Sequence, residues 1–184
     1  MQSPALCHFN WSDELQPIRG AACGGTHRLS GLSLVVKKRL ERGEPLDGEY
    51  AKAADFVKKY QQYAFRLQNP DGSLSTSWFR GPGDEDDINR KIKTTGHILE
   101  WLCYSLSDEE LRDQRTIHAV AFLANLMYSN YDNEWEIGPR SHATHALLLY
   151  DQRVFEPFDK ESPVAAYQTT LKVANIHQLG ESIR

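Results

Sequence analysis

The chain has 184 residues, of which 40% are hydrophobic and 25% are charged, a balance typical of one globular domain. Its formal net charge of -4 at pH 7 gives no electrostatic basis for binding nucleic acid or an anionic membrane surface. No apolar run approaches the roughly 20 residues of a membrane-spanning helix. The N-terminus also lacks a basic stretch followed by an apolar one, so the sequence predicts a cytoplasmic protein.

The periodicity of the apolar residues divides the chain into three parts. Residues 1–23 are expected to be irregular, because Pro4 and Pro17 interrupt any hydrophobic period. Residues 24–157 carry strong helical patterns and no strand signal, so they are expected to form an all-α domain. Residues 158–184 are mostly polar and are expected to form a loosely held tail.

Two amphipathic helices are predicted first. In each, apolar residues recur at steps of three and four, so that one face is hydrophobic. The first helix is expected to begin near His27 and to end at Arg42 and Gly43. The second ends before Pro70, because proline disfavours a helical residue before it. The apolar positions are Leu29, Leu32, Val36 and Leu40 in the first helix and Tyr50, Ala53, Val57, Tyr60, Ala64 and Leu67 in the second.

Three further helices are predicted in the second half. The segment TTGHILEWLCYSL forms the third, with Thr94 or Thr95 as its N-cap. Ser107 followed by Glu110 is the pattern of a capping box. The fourth helix is expected over about residues 113–128, and SHATHALLLYDQRVF forms a short fifth one. The predicted core face of the fourth helix is Ile117, Val120, Ala121, Ala124 and Met127.

These helices repeat. Placing His27, His97 and His145 in register aligns THRLSGL, GHILEWL and THALLLY. The first two copies continue into a second helix and then an aromatic turn, NPDGSLSTSWF or YDNEWEIG. The unit is therefore a helical hairpin that is present twice and begun a third time. Because Pro-Asp-Gly favours sharp reversal, the first turn is expected to join one hairpin to the next, with the aromatic residues of both turns packed at the junctions.

The repeated segments carry a family resemblance. QNPDGSLSTSWF resembles the glutamine–tryptophan repeat of squalene–hopene and oxidosqualene cyclases. TTGHILEWL resembles an inner helix of the terpene cyclase and protein prenyltransferase α/α-toroid superfamily, and the whole set is similar to squalene-cyclase-like repeat proteins of the planctomycete type. The resemblance implies a partial α/α toroid of about three helical hairpins. Because complete toroids of this superfamily have more hairpins, the resemblance implies one of three alternatives: a fragment of a larger toroid, a shortened open reading frame, or a partial ring that another subunit completes.

The acidic run DEDD matches, by this resemblance, the D-x-D-D motif with which class II terpene cyclases protonate their substrate. Asp84, Asp86 and Asp87 are therefore candidate catalytic residues. That chemistry needs an acid that apolar walls keep protonated. Here the run follows a Gly-Pro-Gly loop, so we favour the alternative interpretation of a solvated acidic loop or helix start.

The three aligned histidines are expected to point into the cavity of the toroid. Three imidazoles facing one cavity resemble a zinc ligand set, with His27, His97 and His145 as candidates and His142 competing with His145. The preferred interpretation is structural histidines, because a histidine early in a helix more often hydrogen-bonds the preceding turn; a metal-free polar site comes second and a metal site third, and no cofactor is predicted. A glutamate and a tryptophan of the third helix join the set, unless they are a surface charge beside a packing aromatic. The cavity-lining candidates are His27, His97, Glu100, Trp101, His142 and His145.

The three cysteines indicate neither a disulfide framework nor a metal knuckle, because their number is odd and their spacing wide. Cys103 is expected to be a small buried hydrophobic residue. Cys23 precedes two glycines, and no base or thioester partner can be assigned to it. A glycine-rich helix start is the preferred interpretation of this segment.

Two functional hypotheses remain open. The preferred one is a non-catalytic binding or scaffold module whose concave face holds an apolar ligand or a protein partner; a homo-oligomer that completes the ring belongs to it. The other is an enzyme, or part of one, of the terpene cyclase, prenyltransferase or polysaccharide lyase type, with a polar site in the cavity. The sequence favours the first because its repeat signals are clear and no convincing catalytic set accompanies them.

Overall fold

A computed structural model describes residues 21–155, and in this range the chain is all-α, as the sequence predicts. The α-helices of this range are α1 (Thr26–Glu41), α2 (Gly48–Arg66), α3 (Ile88–Ser105), α4 (Asp108–Leu111), α5 (Gln114–Ser129) and α6 (Ile137–Val154). None of them is long and apolar enough to cross a bilayer. The predicted polar tail and nearly all of the predicted irregular N-terminal segment lie outside the described residues.

Helix α3 is the centre of the packing. It contacts α1, α5 and α6, and its contact with α6 is the most extensive of all. Helix α1 also packs on α2, so the two predicted hairpins are α1–α2 and α3–α5, and α6 follows as the next helix of the series. The close approach of α3 and α6 depends on Gly96, because a Cβ there would lie 3.0 Å from the backbone of Ala143.

The buried side chains form one core around Phe79 and Trp101. The Phe79 ring packs edge-on against Tyr60, with 5.1 Å between ring centroids, and against Trp101 at 6.0 Å. The indole N–H of Trp101 donates to Ser33 Oγ at 3.0 Å, and Ser33 Oγ donates to the Leu29 carbonyl at 2.8 Å. Trp101 is only 1% exposed. Its ring therefore fills the core, as the alternative interpretation of a packing aromatic expects.

The start of α3 differs from the prediction of a threonine cap. The helix begins at Ile88, and the Asp87 carboxylate caps it by accepting hydrogen bonds from two backbone N–H groups of the first turn, at 2.9 and 3.3 Å. The predicted caps, Thr94 and Thr95, are buried inside the helix. Thr95 Oγ1 accepts a hydrogen bond from the backbone N–H of Leu74 at 3.1 Å, so it holds the preceding turn against α3. The prediction of a helix start at the acidic run is therefore confirmed, and the prediction of a threonine cap is wrong.

The capping box before α4 is confirmed. Ser107 Oγ accepts from the Glu110 backbone N–H at 3.2 Å, and the Glu110 carboxylate accepts from the Ser107 backbone N–H at 3.0 Å. The fifth predicted helix exists, but α6 begins at Ile137, four residues earlier than the segment from Ser141 indicated. No side chain caps its first turn, so the sequence carries no local signal for this start.

The buried face of α5 is displaced by one residue from the predicted face. Thr116, Ala119 and Leu123 are its buried residues. In the predicted set, Ile117, Ala121 and Ala124 are exposed, and Val120 and Met127 are only partly buried. Apolar residues cover most of the surface of α5. Two apolar faces that are offset by one residue therefore fit the helical period equally well, and periodicity alone does not select the buried one.

The turn after α2 joins the two hairpins, in agreement with the prediction. The backbone N–H of Gly72 donates to the Asn69 carbonyl at 3.0 Å, and the Asp71 carboxylate accepts from the Ser73 N–H at 2.8 Å. Gly72 has a φ of +95°, and a Cβ there would lie 2.5 Å from the carbonyl oxygen of His118 in α5. A tight reversal and close contact with the next hairpin therefore both require glycine at this position.

One arginine of α6 binds the C-terminal end of α3. The guanidinium of Arg153 donates to the carbonyl of Cys103 at 2.7 Å and to that of Leu106 at 2.9 Å. It also donates to the carboxylate of Asp108 at 2.5 Å. Backbone carbonyls at the end of a helix lack partners within the helix, so Arg153 satisfies groups that α3 leaves open. Cys103 itself is fully buried, as predicted.

Candidate functional site

Three imidazoles from three helices meet at one place, and we call them the imidazole cluster: His27 of α1, His97 of α3 and His142 of α6. The ring centroids lie 6.1 Å apart for His27 and His97, 5.7 Å for His27 and His142, and 3.8 Å for His97 and His142. The repeat alignment predicts His145 in the third place, and this is wrong. The side chain of His145 is 57% exposed, and His142 takes its place.

The contact between α3 and α6 explains why His142 occupies this place. Gly96 packs directly on Ala143, and His97 and His142 are their chain neighbours. The two histidines therefore lie together next to this contact, and their rings are tilted by 31° to each other. The repeat alignment instead places His145 here, about one helical turn further along α6. Similarity between two segments does not determine how far two helices are offset along their axes when they pack.

His97 is buried, with 4% of its surface exposed, and its protonation is set by its surroundings. Burial lowers its pKa to about 4, and the neighbouring His142 adds to the effect. Nδ1 lies 2.7 Å from the Lys93 carbonyl oxygen. Because a carbonyl only accepts, Nδ1 carries the proton and Nε2 keeps its lone pair. At neutral pH His97 is therefore an uncharged base with Nε2 as its free nitrogen.

Glu100 holds two histidines of α6. One carboxylate oxygen accepts from His142 Nδ1 at 2.7 Å, and the other accepts from His145 Nδ1 at 2.6 Å. The Glu100 side chain is only 21% exposed, so the interpretation of a free surface charge is wrong. The bond fixes the orientation of the His142 ring and leaves Nε2 as its available nitrogen. Glu100 and His142 are thus a carboxylate–imidazole pair beside the neutral His97.

Cys23 approaches the same cluster from the turn before α1. Its sulfur and one ring nitrogen each of His27 and His97 all lie within 4.8 Å of one another. Cys23 has a φ of +50°, followed by Gly24 at +62° and Gly25 at +90°. A left-handed backbone at a residue with a side chain costs on the order of 1–3 kcal/mol and is concentrated at functional sites. The sequence assigned no base to Cys23, and the structure places two imidazoles beside it.

Trp78, from the turn between the hairpins, forms a wall of the cluster. Its ring packs edge-on against His97, with centroids 5.5 Å apart. A Cβ on Gly24 would lie 2.5 Å from this ring, so only glycine lets the Cys23 turn approach it. Trp78 also has a left-handed φ of +59°. The sequence predicts this tryptophan at a junction, and no pattern in it indicates contact with a histidine.

The acidic run lies on an exposed loop. Asp84, Asp86 and Asp87 are all exposed. Asp84 pairs with Lys91 at 2.9 Å, and Asp87 caps α3. An exposed, paired carboxylate has no apolar walls to keep it protonated. The structure therefore agrees with the interpretation of an acidic loop and helix start, and the role of a cyclase acid loses its physical basis.

The site thus combines a neutral imidazole, a carboxylate-bound imidazole, a more exposed imidazole and a thiol. Such a set can transfer protons, and thiol and imidazole donors also suit borderline metal ions. No protein-family model, curated protein or solved structure matches this chain. The function therefore has to be inferred from the geometry of these residues.

Proposed function

We propose that this chain is an enzyme, or the catalytic part of one, whose centre is the imidazole cluster with Cys23 and Glu100. The observation that carries the proposal is the pairing of His97, neutral with Nε2 free, with His142, which Glu100 orients. A base beside a second titratable group that a third residue holds in place is a recurrent arrangement of active sites. This arrangement favours an enzyme over the non-catalytic module. The sequence favours the module only because it shows no convincing catalytic set.

The chemistry of the cluster favours proton abstraction. A neutral imidazole removes a proton, whereas cyclisation of the class II type needs a protonated acid. Among the reactions that the resemblance implies, the polysaccharide lyase type fits best. In that β-elimination, His97 takes the proton next to the uronate carboxyl group and the freed electron pair forms a C=C bond. The glycosidic oxygen leaves with its bonding pair and takes a proton from His142, which Glu100 holds in place.

The arrangement of helices supports a partial α/α toroid as the scaffold of this site. Helices α1 and α3, the first helices of the two hairpins, and α6 pack in series, and each contributes one histidine. A repeated unit that offers an equivalent helix to one shared site is characteristic of such repeat architectures. The toroid remains part of the proposal.

A substrate panel tests the proposed function. Purified chain is mixed with uronic-acid polysaccharides, and formation of the unsaturated product is followed by ultraviolet absorbance; prenyl diphosphates form a second panel. We expect turnover with a polyuronate, and His97→Ala lowers it by about 10²–10⁴-fold, the usual contribution of a general base. His118→Ala is the matched control, because His118 is exposed on α5. Turnover that survives His97→Ala unchanged contradicts the proposal.

A binding module is the second candidate, and an apolar groove favours it. The groove has a volume of about 580 Å³ and opens between α1 and α2. It is lined by Leu32, Val35, Tyr50, Ala53 and Phe56, with Glu49 and Lys52 at its rim. An apolar ligand or a protein partner, including a second copy that completes a ring, would occupy it.

The two candidates respond to different substitutions. If the chain is a binding module, an apolar fluorescent probe binds it, and Val35→Asp abolishes this binding while His97→Ala does not. Light scattering then shows whether a second copy is the partner. Probe binding without turnover on either substrate panel would favour this candidate over the enzyme.

A further inference from the structure

We propose that Cys23, His27 and His97 form a zinc site with one open coordination position. The inference rests on the proposed function, since it assigns a metal to the same centre. Three side chains from two separate segments, the turn before α1 with its first residues and the middle of α3, converge there. The convergence therefore depends on the packing of two helices and not on one local segment of the chain.

The distances between the donor atoms fit a zinc ion. The sulfur of Cys23 and the ring nitrogens of His27 and His97 lie within 4.8 Å of one another. Zinc bonds of about 2.3 Å to sulfur and about 2.0 Å to nitrogen place tetrahedral ligands about 3.5 Å apart. No separation therefore has to shorten by more than roughly 1.3 Å on binding. His27 is exposed, so rotation of its side chain can supply this change.

The chemical state of the donors also suits zinc. A zinc-bound histidine must be neutral at the nitrogen that binds. His97 presents Nε2 as a lone pair, because its Nδ1–H donates to the Lys93 carbonyl. A backbone carbonyl at the second ring nitrogen is a usual outer-shell partner of zinc-bound histidines. A thiolate with two imidazoles selects zinc over magnesium or calcium, which prefer oxygen ligands.

His142 does not belong to the same coordination shell. Two histidines on one tetrahedral zinc have ring centroids about 5 Å apart, given the bond lengths of zinc sites. The separation of 6.1 Å between His27 and His97 approaches this value. The centroids of His97 and His142 are only 3.8 Å apart, which is too close for both rings to bind one ion. His142 therefore lies beside the metal as an outer-shell residue held by Glu100.

Three protein ligands leave the fourth position of zinc to water or substrate. Catalytic zinc sites have this composition, whereas structural sites are closed by four protein ligands. The ion would act as a Lewis acid on an oxygen of the substrate. In the proposed reaction, the uronate carboxylate would be the oxygen ligand. Because zinc would occupy Nε2 of His97, His142 would replace His97 as the base that takes the proton, and it would pass the same proton to the leaving glycosidic oxygen.

Cobalt titration of the full chain tests the site without a substrate. The apo protein is titrated anaerobically with Co²⁺, which adopts the geometry of zinc and is visible by absorbance. We expect one Co²⁺ per chain, with tetrahedral d–d bands and a charge-transfer band from the Cys23 thiolate. Zn²⁺ displaces the cobalt, and X-ray absorption of the zinc form shows one sulfur at about 2.3 Å and nitrogens at about 2.0 Å.

Substitutions assign the ligands. Cys23→Ser removes the charge-transfer band and weakens metal binding by at least about 100-fold, beyond the loss expected for an outer-shell partner. His27→Ala weakens it similarly, whereas His142→Ala weakens it by only about 10-fold, at the lower end of the loss for an outer-shell residue. Cys103→Ala is the matched cysteine control and keeps the wild-type spectrum, because Cys103 is buried in the core. Circular dichroism confirms that each variant retains its helices.

The outcomes separate this inference from the proposed function. Wild-type protein that binds no cobalt, or a cobalt spectrum without sulfur ligation, overturns the zinc site and leaves a metal-free acid–base centre in place. Metal binding by Cys23, His27 and His97 without turnover on any substrate supports the site and contradicts the proposed reaction. Equal metal binding by Cys23→Ser and wild type also overturns the inference.

Discussion

His97 couples the stability of the metal-free protein to pH. Its pKa is about 4 in the folded chain against an ordinary value of 6.5, because burial disfavours the charged ring. Between pH 6.5 and 4 the unfolded chain binds a proton that the folded chain does not, so the free energy of unfolding falls on acidification. The loss from this residue is at most about 3–4 kcal/mol, since the shift from 6.5 to about 4 spans about 2.5 pKa units and one unit corresponds to about 1.36 kcal/mol. Above pH 6.5 it contributes no pH dependence.

Urea unfolding at several pH values measures this coupling, with a chelator present. We expect His97→Gln to lose less stability than wild type between about pH 6.5 and pH 4, the window set by the two pKa values. His118→Gln should follow the wild-type curve, because His118 is exposed. Identical pH dependence of His97→Gln and wild type would show that His97 is not the buried neutral base described above.

The two described cysteines should differ sharply in reactivity. Cys103 is buried, and burial raises the pKa of its thiol to about 12, so almost no thiolate is present. Cys23 is only partly buried and lies beside two imidazoles. We expect iodoacetamide to modify Cys23 and not Cys103 in the native metal-free protein, as located by peptide mass spectrometry. Both should react in denaturant; rapid native labelling of Cys103 would contradict the packing of α3.

Single residues of the site were only partly predictable. His27 and His97 follow from the repeat, because equivalent helix positions recur at one wall. Cys23 and Trp78 do not, since both depend on a left-handed backbone that no local pattern announces. Glu100 was singled out from the sequence, but its two histidine partners are 42 and 45 residues away. Whether Glu100 is a surface charge or a site residue therefore cannot be decided without knowing how α3 packs against α6.

At the scale of whole helices, the seam between α3 and α6 depends on Gly96. A Cβ at this position would contact backbone and side-chain atoms of Ala143 at 3.0–3.1 Å, and backbone cannot rotate away. We expect Gly96→Ala to destabilise the protein by about 1–3 kcal/mol, the usual cost of overpacking. Because His97 and His142 flank this contact, the same change should weaken cobalt binding.

Gly31→Ala is the matched control for this substitution. Gly31 is an exposed glycine within α1, and a Cβ there would meet no atom within 4 Å. Replacement of a helical glycine by alanine stabilises by roughly 0.5–1 kcal/mol. Denaturant unfolding of the two variants should therefore give changes of opposite sign. If both variants are destabilised, alanine is poorly tolerated at helical glycines in general, and the effect of Gly96→Ala does not report on the contact between α3 and α6.

Helix boundaries were predictable where the signal is local. The box of Ser107 and Glu110 is contained in four residues, and it was found. The acidic run indicates a helix start, but it does not identify Asp87 as the cap, because this carboxylate stands among other acids and two threonines further on also have capping side chains. The start of α6 has no capping side chain, so it depends on packing against α3.

At the scale of the whole molecule, the described helices share one core. Trp78, Trp101 and Trp135 all belong to a single cluster of buried side chains. We expect tryptophan fluorescence and far-ultraviolet circular dichroism to report one coincident transition in denaturant, as a cooperative domain does. A fluorescence change that precedes the loss of helix would instead indicate that the two hairpins unfold separately.

The class of the fold was predictable from periodicity, and the offset between neighbouring helices was not. Stripes of apolar residues at three- and four-residue steps indicate helices wherever they are long enough. How far α6 slides along α3 is decided by Gly96 and Ala143, which look unremarkable in the sequence. This slide replaced His145 by His142, and the chemistry of the cluster follows from it. Closure into a toroid remains a prediction.

The guanidinium of Arg153 sets a limit for protein engineering. This side chain lies one residue before the end of α6 and binds carbonyls that belong to the far end of α3. A truncation placed just before it would shorten one helix and leave its neighbour frayed. Any minimal version of the domain, or any split reporter built from it, therefore has to keep the last turn of α6 with the fragment that contains α3.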